Sequence, residues 1–315
     1  MVPSLLRQDV HESVTFCATL DRGPSISMMS AAPNHHRDRR VLLIGTDEDL
    51  LARLREREEV QDMVFDHVPG NLAALQRLRG RDYDVLVTNP ATSVPDDLVF
   101  TEEVRALRRS TRIIVLAPAA LQQDVIAALR AQVFACFSAP FDAGEVAAMI
   151  AAATDLDDWR GGIEVISGLP DWISLRVSSR RVSAERLIRF MTEYRTDLPE
   201  GERTDLMTAF REMILNAMEH GAHFDPDKVV EVSAARTSRA IVYYLRDPGP
   251  GFSRDNLQHA AVGHSEGNPM AHFAKRQELG MRPGGFGILL VRNLVDELVY
   301  NERGNEVILI KYTDR

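Results

Sequence analysis

Five short apolar runs, each followed by a helical pattern, fill residues 39–155 and leave few folds open. The runs are Val41-Leu-Leu-Ile-Gly45, Met63-Val-Phe-Asp-His-Val68, Asp84-Val-Leu-Val-Thr88, Ile113-Ile-Val-Leu-Ala117 and Val133-Phe-Ala-Cys-Phe-Ser138. Helical patterns fall at about 48–57, 71–79, 100–109, 121–130 and 143–153. Short continuous apolar strands suit a sheet covered on both faces, and strands alternating with helices argue a parallel one. Five such units in about 115 residues predict a flavodoxin-like doubly wound sheet of order 2-1-3-4-5.

The last third of the chain carries a different kind of information. A helix reads Ala209-Phe-Arg-Glu-Met-Ile-Leu-Asn-Ala-Met-Glu-His-Gly221. Glu212 and Asn216 are i and i+4 on it, so they share one face. Leu206, Ala209, Phe210, Met213 and Ala217 form an offset apolar stripe, so the helix can seal a core on one side and line a pocket on the other. An apolar strand, Ala240-Ile-Val-Tyr-Tyr-Leu245, ends in Asp247 and the glycines Gly249 and Gly251. Gly284, Gly285 and Gly287 open a second apolar helix, Ile288 to Val295. The amide oxygen of Asn216 suits Mg²⁺, a hard cation that also holds phosphates. Glu212, one turn away, is placed to take a proton from a hydroxyl or a water. The Asp247 carboxylate can accept from an adenine amino group, and glycines beside it let a base approach. A glycine-rich helix start favours phosphate through its free N–H groups and dipole. Each element alone has an ordinary structural reading, such as a type II turn at Asp247-Pro-Gly or a C′ glycine at Gly221. Their order over about 80 residues makes a nucleotide site the better reading.

This constellation resembles the GHKL ATPase superfamily. Glu212 to Gly221 looks like its N box, Asp247-x-Gly-x-Gly its G1 box and Gly284-Gly-Phe-Gly its G2 box. Within it the run Glu-x-x-x-Asn-Ala-x-Glu-His-Gly and the tail Asp296 to Val307 are similar to the anti-sigma-factor serine kinases. The resemblance covers roughly 160–315 and implies a Bergerat α/β sandwich binding ATP and Mg²⁺ under a lid. It implies Glu212 as general base, Asn216 as Mg²⁺ ligand and Asp247 as adenine reader, with His220, Gly249, Gly251, Gly284, Gly285 and Gly287 around the nucleotide. Arg282 stands where those kinases carry an arginine near the γ-phosphate, and 252–283 fit the lid. The implied reaction is phosphorylation of a serine or threonine on a STAS-domain antagonist. The implied partners are that protein and a sigma factor. Two alternatives stay open: a non-catalytic, nucleotide-responsive binding module, and slow ATP hydrolysis. The phospho-accepting helical hairpin of histidine kinases is not expected, nor the domain that follows the ATPase in gyrase-type relatives.

Residues 39–155 resemble a response-regulator receiver domain, with Ala139-Pro-Phe-Asp142 similar to the motif after that family's last strand. The family's acceptor aspartate aligns with Asn89, its switch hydroxyl with Ala117 and its lysine with Ala139. An amide cannot form an acyl phosphate, so a pseudo-receiver is expected that acts by protein contact or forms a homodimer contact. The alternative is that Asp47 or Asp49 still binds Mg²⁺ while another residue accepts phosphate.

The expected organisation is α/β in two domains: a tail over 1–38, the pseudo-receiver over 39–155, a linker over 156–168 with a Gly pair, and the kinase domain over 169–315. At 45% hydrophobic residues, each domain has material for its own core. A net charge of -9 argues against a nucleic-acid surface. The absence of a long apolar run argues against a membrane span. Two cysteines, Cys17 and Cys136, suggest no disulfide framework and a cytoplasmic setting. The tail shows no signal-peptide pattern and reads as disordered, with Met28 or Met29 as alternative starts. Trp172 to Ser178 alternates as a strand, and Ser183 is expected to cap a helix from Ala184 to Tyr194.

Overall fold

The computed structural model describes residues 39–45, 48–155, 162–194, 198–251 and 287–313. The expected tail, the lid, Asp47, Arg282, Gly284 and Gly285 lie outside them.

The first layer is a parallel sheet of β1 (Arg40–Ile44), β2 (Val64–Val68), β3 (Val85–Val87), β4 (Arg112–Ala117) and β5 (Ala135–Ser138), in the order β2-β1-β3-β4-β5. Its helices are α1 (Glu48–Arg55), α2 (Asn71–Gly80), α3 (Val94–Leu107), α4 (Gln122–Arg130) and α5 (Ala143–Thr154). The strand order is the expected one. Side chains alternate across the sheet as period 2 requires. Val41, Leu43, Val85, Val87, Ile114 and Leu116 join one apolar cluster, and Leu42, Ile44, Leu86, Ile113 and Val115 join the other. α3 starts six residues earlier than the pattern suggests. Ser93 caps it by accepting from the Asp96 N–H, and Pro95 sits in the first turn, where a missing N–H costs nothing. Cys136 is buried in β5, and burial pushes its thiol up to about 12.

The second layer is a fully antiparallel six-stranded sheet. Its strands are β6 (Ile163–Leu169), β7 (Trp172–Ser178), β8 (Val229–Arg236), β9 (Ala240–Arg246), β10 (Glu297–Tyr300) and β11 (Glu306–Tyr312), in the order β10-β11-β9-β8-β7-β6. α6 (Arg181–Glu193), α7 (Glu200–Asn216) and α8 (Gly287–Leu294) accompany it. The stripe Leu206, Ala209, Phe210, Met213 and Ala217 is buried, and Phe210 meets Tyr243 of β9 with ring centroids 4.9 Å apart.

Two expectations need correction. Residues 163–168, read as linker, belong to β6. A register shift between Val165 and Ser167 and a glycine at 168 break the alternation that marks a strand. Ser183 does not cap α6. It lies inside the first turn, its Oγ 3.0 Å from Ser178 Oγ, and the helix begins at Arg181. The first layer keeps one buried cluster of its own and shares the other with the second layer. The shared cluster runs from Leu42 and Val115 through Leu129 and Val133 to Leu187, Phe210 and Leu309.

The seam explains that continuity. The Arg186 side chain, on α6 and 4% exposed, donates Nε to Phe134 O at 2.9 Å and Nη2 to Val133 O at 3.2 Å. Arg189, a turn later, lies over the Phe137 ring and pairs with Glu145 of α5 at 2.5 Å and with Glu193. On the other side α4 leans on β6. Arg130 donates to Gly168 O, and a Cβ on Gly168 would come within 2.6 Å of Ile126 Cγ2. Among the described residues, no helix is long and apolar enough to cross a membrane.

Candidate functional site

The site is built where α7 ends. Glu212 and Asn216 are half-buried beside the fully buried Met213 and Ile214. After Asn216 the helix widens into one π turn, Ala217–Gly221, closed by the Ala222 N–H on Ala217 O at 3.0 Å. Such turns insert a residue and cluster at functional sites. Here the turn brings Gly221 flat against the strand end beyond β9. A Cβ at Gly221 would sit 2.3 Å from Cγ of Asp247. Glu219 and His220 are exposed on the same turn.

Asp247 is half-buried. Its Oδ1 accepts from the Gly249 N–H at 2.8 Å. Burial pushes its carboxyl above the ordinary range, opposed by that N–H and by the Arg303 guanidinium. Gly249 is buried against the Gly221 carbonyl, which a Cβ would approach to 2.7 Å. Gly251 has φ +77°, a left-handed conformation, and a Cβ there would collide with the Arg303 carbonyl oxygen at 2.0 Å. The glycines therefore let three backbone segments meet around one carboxylate.

The start of α8 closes the other side. A Cβ on Gly287 would lie 3.0 Å from Glu212 Oε2 and 3.4 Å from Asn216 Nδ2. The structure thus brings Glu212, Asn216 and Gly287 together, and separately gathers Asp247, Gly249 and Gly251. The π turn joins the two groups. Gly287 of α8 lies beside the Glu212–Asn216 face, and the half-buried Asp247 carboxylate offers an acceptor at the other end. This donor set fits a nucleotide with a bound hard cation. Residues 301–305 were not anticipated as part of the site, although the Asn-x-x-Gly-Asn pattern is a turn signal. The π turn had no sequence signal at all.

Comparison with known proteins bears on the domain that carries these residues. Residues 177–311 match the family described as histidine kinase-like ATPase domain. An anti-sigma F factor from Anoxybacillus flavithermus (strain DSM 21510 / WK1) is 30% identical over 114 residues, covering 35% of this chain and 70% of that protein. The chain belongs to the histidine kinase-like ATPase family. A second anti-sigma F factor, from Geobacillus sp. (strain WCH70), is 28% identical over 114 residues, with the same shares covered. The C-terminal layer is therefore a GHKL ATPase domain with anti-sigma factors among its relatives. Solved structures similar to this chain include a signal receiver domain of an HD domain-containing protein from Pseudomonas fluorescens Pf-5. It is 20% identical with a TM-score of 0.33, over 37% of this chain and 94% of that one. Another is a CheY-like receiver domain protein from Methanospirillum hungatei JF-1, 15% identical with a TM-score of 0.32, over 38% and 94%. The doubly wound reading stands on the strand order itself.

Beside the GHKL domain, the receiver-like sheet carries its own polar cluster at the end of β3. Asn89 packs on Gly45, where a Cβ would meet its Cγ at 2.5 Å, and its Oδ1 accepts from the Ala91 N–H at 2.9 Å. The amide oxygen thus helps to hold its own loop. Next to it, buried Asp97 accepts from Thr88 Oγ1 and Thr92 Oγ1, both at 2.7 Å. Burial pushes Asp97 up to about 6, against the lowering by Thr92 and Thr88. The folded protein therefore holds this proton between about pH 4 and 6 while the unfolded chain releases it, so stability falls as pH rises through that window. Asp97→Asn should remove this slope and raise stability at pH 8 by about 2 kcal/mol. Urea melts of both proteins at pH 4.5 and pH 8 check it. Equal pH dependence in the two would mean that Asp97 titrates normally.

Proposed function

We propose that this chain is an ATP-dependent protein serine/threonine kinase of the anti-sigma class, acting in the cytoplasm on a STAS-type antagonist and binding a sigma factor. The observation that carries the reading is the seat of Gly287 on the Glu212–Asn216 face, which puts a carboxylate at the helix start where phosphates are favoured. A module that only binds nucleotide has no need of a base there. Bound ATP with Mg²⁺ would supply the transferable γ-phosphoryl group. Asn216 holds the cation through its amide oxygen. Glu212 takes the proton from the attacking hydroxyl. Asp247 accepts from the adenine amino group, and Gly249 and Gly251 let the base lie close. Positioning and charge stabilisation do most of the work in such transfers. Arg282, Gly284 and Gly285 belong to the phosphate side in this reading, and His220 to the nucleotide rim.

The receiver-like domain, 39–155, regulates the kinase domain through contact and not through aspartyl phosphate. Support comes from the amide of Asn89, which cannot form an acyl phosphate and whose oxygen accepts from the Ala91 N–H, and from the buried seam at Arg186. The same scaffold is available for a homodimer contact.

The test is incubation with γ-labelled ATP, Mg²⁺ and candidate STAS proteins. Label on a serine or threonine of the partner supports the kinase. Tight binding without transfer supports a non-catalytic partner-switching module, and release of free phosphate supports hydrolysis. Asp247→Asn should weaken ATP binding by about 1–3 kcal/mol, the scale of a lost charged hydrogen bond. Unchanged affinity by calorimetry would remove Asp247 from the base site.

A further inference from the structure

We propose that the hairpin loop 301–305, through Asn305 and Arg303, sets base selectivity by positioning Asp247. This rests on the nucleotide-site reading above and names residues that the reading does not use. Asn305 is 6% exposed and grips Asp247 on both sides of its backbone. The Asp247 N–H donates to Asn305 O at 3.0 Å, and Asn305 Nδ2 donates to Asp247 O at 3.1 Å. The remaining amide oxygen, Oδ1, accepts from Asn301 Nδ2 at 3.0 Å. Asn301 Oδ1 in turn accepts from the N–H groups of Gly304 and Asn305 at 2.7 and 3.1 Å. From the surface side, Arg303 reaches over the glycine turn, donating Nη2 to Gly249 O and Nε to Pro250 O, both at 3.2 Å. The Arg303 carbonyl fills the space a Cβ on Gly251 would need.

This bonding pattern does more than close a turn. Gly249 already donates to Oδ1 of Asp247, which leaves Oδ2 as the oxygen assigned to a base amino group. Where Oδ2 points depends on the Asp247 backbone and on the Gly249 peptide. Asn305 fixes the first and Arg303 the second. A buried side-chain amide making bonds in two directions fixes orientation better than an apolar contact, because each lost bond leaves a buried group unsatisfied. Both are positioning residues. Neither is assigned a contact with the nucleotide.

The experiment compares ATP with ITP, which carries an oxygen where adenine carries its amino group, by calorimetry at pH 8. Wild type, Asn305→Asp and Arg303→Ala are used as full chains. Asn305→Asp keeps the shape and loses the donor to Asp247 O. Wild type is expected to prefer ATP. Asn305→Asp should lose ATP affinity by about 10-fold or more while ITP affinity changes by less than about 2-fold, so the preference collapses. Arg303→Ala, an exposed position with little folding risk, should erode the preference in the same direction, and it decides the matter should Asn305→Asp not fold. A folded variant of either kind that keeps the wild-type ATP:ITP ratio overturns the positioning role while leaving the site reading intact. An equal loss for both nucleotides also overturns it, because it shows a merely structural loop. A wild type that binds ATP and ITP equally overturns base reading by Asp247 itself, and the proposal with it.

Discussion

Glu212→Gln is expected to leave nucleotide binding near wild type and to slow phosphoryl transfer by roughly 10²–10⁴-fold, the usual contribution of a general base. Glutamine keeps the length and the polarity of the side chain but cannot take a proton at neutral pH. The geometry allows the separation of roles. Glu212 Oε2 stands at the start of α8, while the Asp247–Gly249 turn that would hold the base lies beyond the π turn. Asn216→Ala should behave in the opposite way and weaken Mg²⁺-dependent binding. Single-turnover transfer to a partner serine, with calorimetry on the same samples, separates the two. Transfer by Glu212→Gln at the wild-type rate would place the base elsewhere. Loss of binding with unchanged turnover of the bound fraction would make Glu212 a ligand-holding group.

The second large effect concerns the seam. Arg186→Ala is expected to destabilise the protein by about 2–5 kcal/mol, since it strips donors from two buried carbonyls, Val133 and Phe134, and opens space against the Phe134 ring. Burial pulls the Arg186 guanidinium down to about 10, so it stays protonated at neutral pH and its bonds to those carbonyls are charge-assisted. Arg176→Ala provides the contrast. Arg176 pairs with Glu164 at 3.8 Å with both side chains more than half exposed, so its loss should fall within about 0.5 kcal/mol. Urea denaturation read by far-UV dichroism measures both. Because one apolar cluster spans the two sheets, wild type should unfold in a single transition and Arg186→Ala in two. A change for Arg186→Ala no larger than that for Arg176→Ala would mean that water replaces the guanidinium and that the seam is not a rigid joint.

That seam also bears on regulation. α6 carries Arg186 and Arg189 against the receiver-like sheet, and the same helix packs on α7, which carries Glu212 and Asn216. Any partner that shifts the receiver-like domain has a short path of packed side chains to the proposed base. This is a physical route for contact regulation, and deletion of 39–155 is not a neutral test of it, since deletion would strip Arg186 and Arg189 of their partners at Phe134, Val133 and Glu145.

Much of the architecture was legible in the residues because two periodicities differ. The runs at 41–44, 85–87 and 113–117 are apolar throughout, as strands covered on both faces must be, and the helices between them forced parallel crossovers, so the strand order followed. The Glu212–Asn216 spacing placed both side chains on one face whatever surrounds them, because i and i+4 neighbours on a helix need no tertiary context. The glycines at 249 and 251 marked close backbone approach, and each has a backbone partner that leaves no room for a Cβ, while Gly287 faces the side-chain ends of Glu212 and Asn216. What the sequence could not reveal is which segments arrive from far away. β6 hides behind a bulge, and its strand character appears only through pairing with β7. The π turn depends on a competition between carbonyl acceptors that the packed helix end resolves. Asn305 lies 58 residues from Asp247, and an asparagine in a polar turn signals nothing until the sheet brings β9 beside β11. Arg186 reads on the chain as one more helix-surface cation. Only the docking of α6 on β5 removes it from water, and its bonds to two buried carbonyls then make that guanidinium one of the links between the two halves.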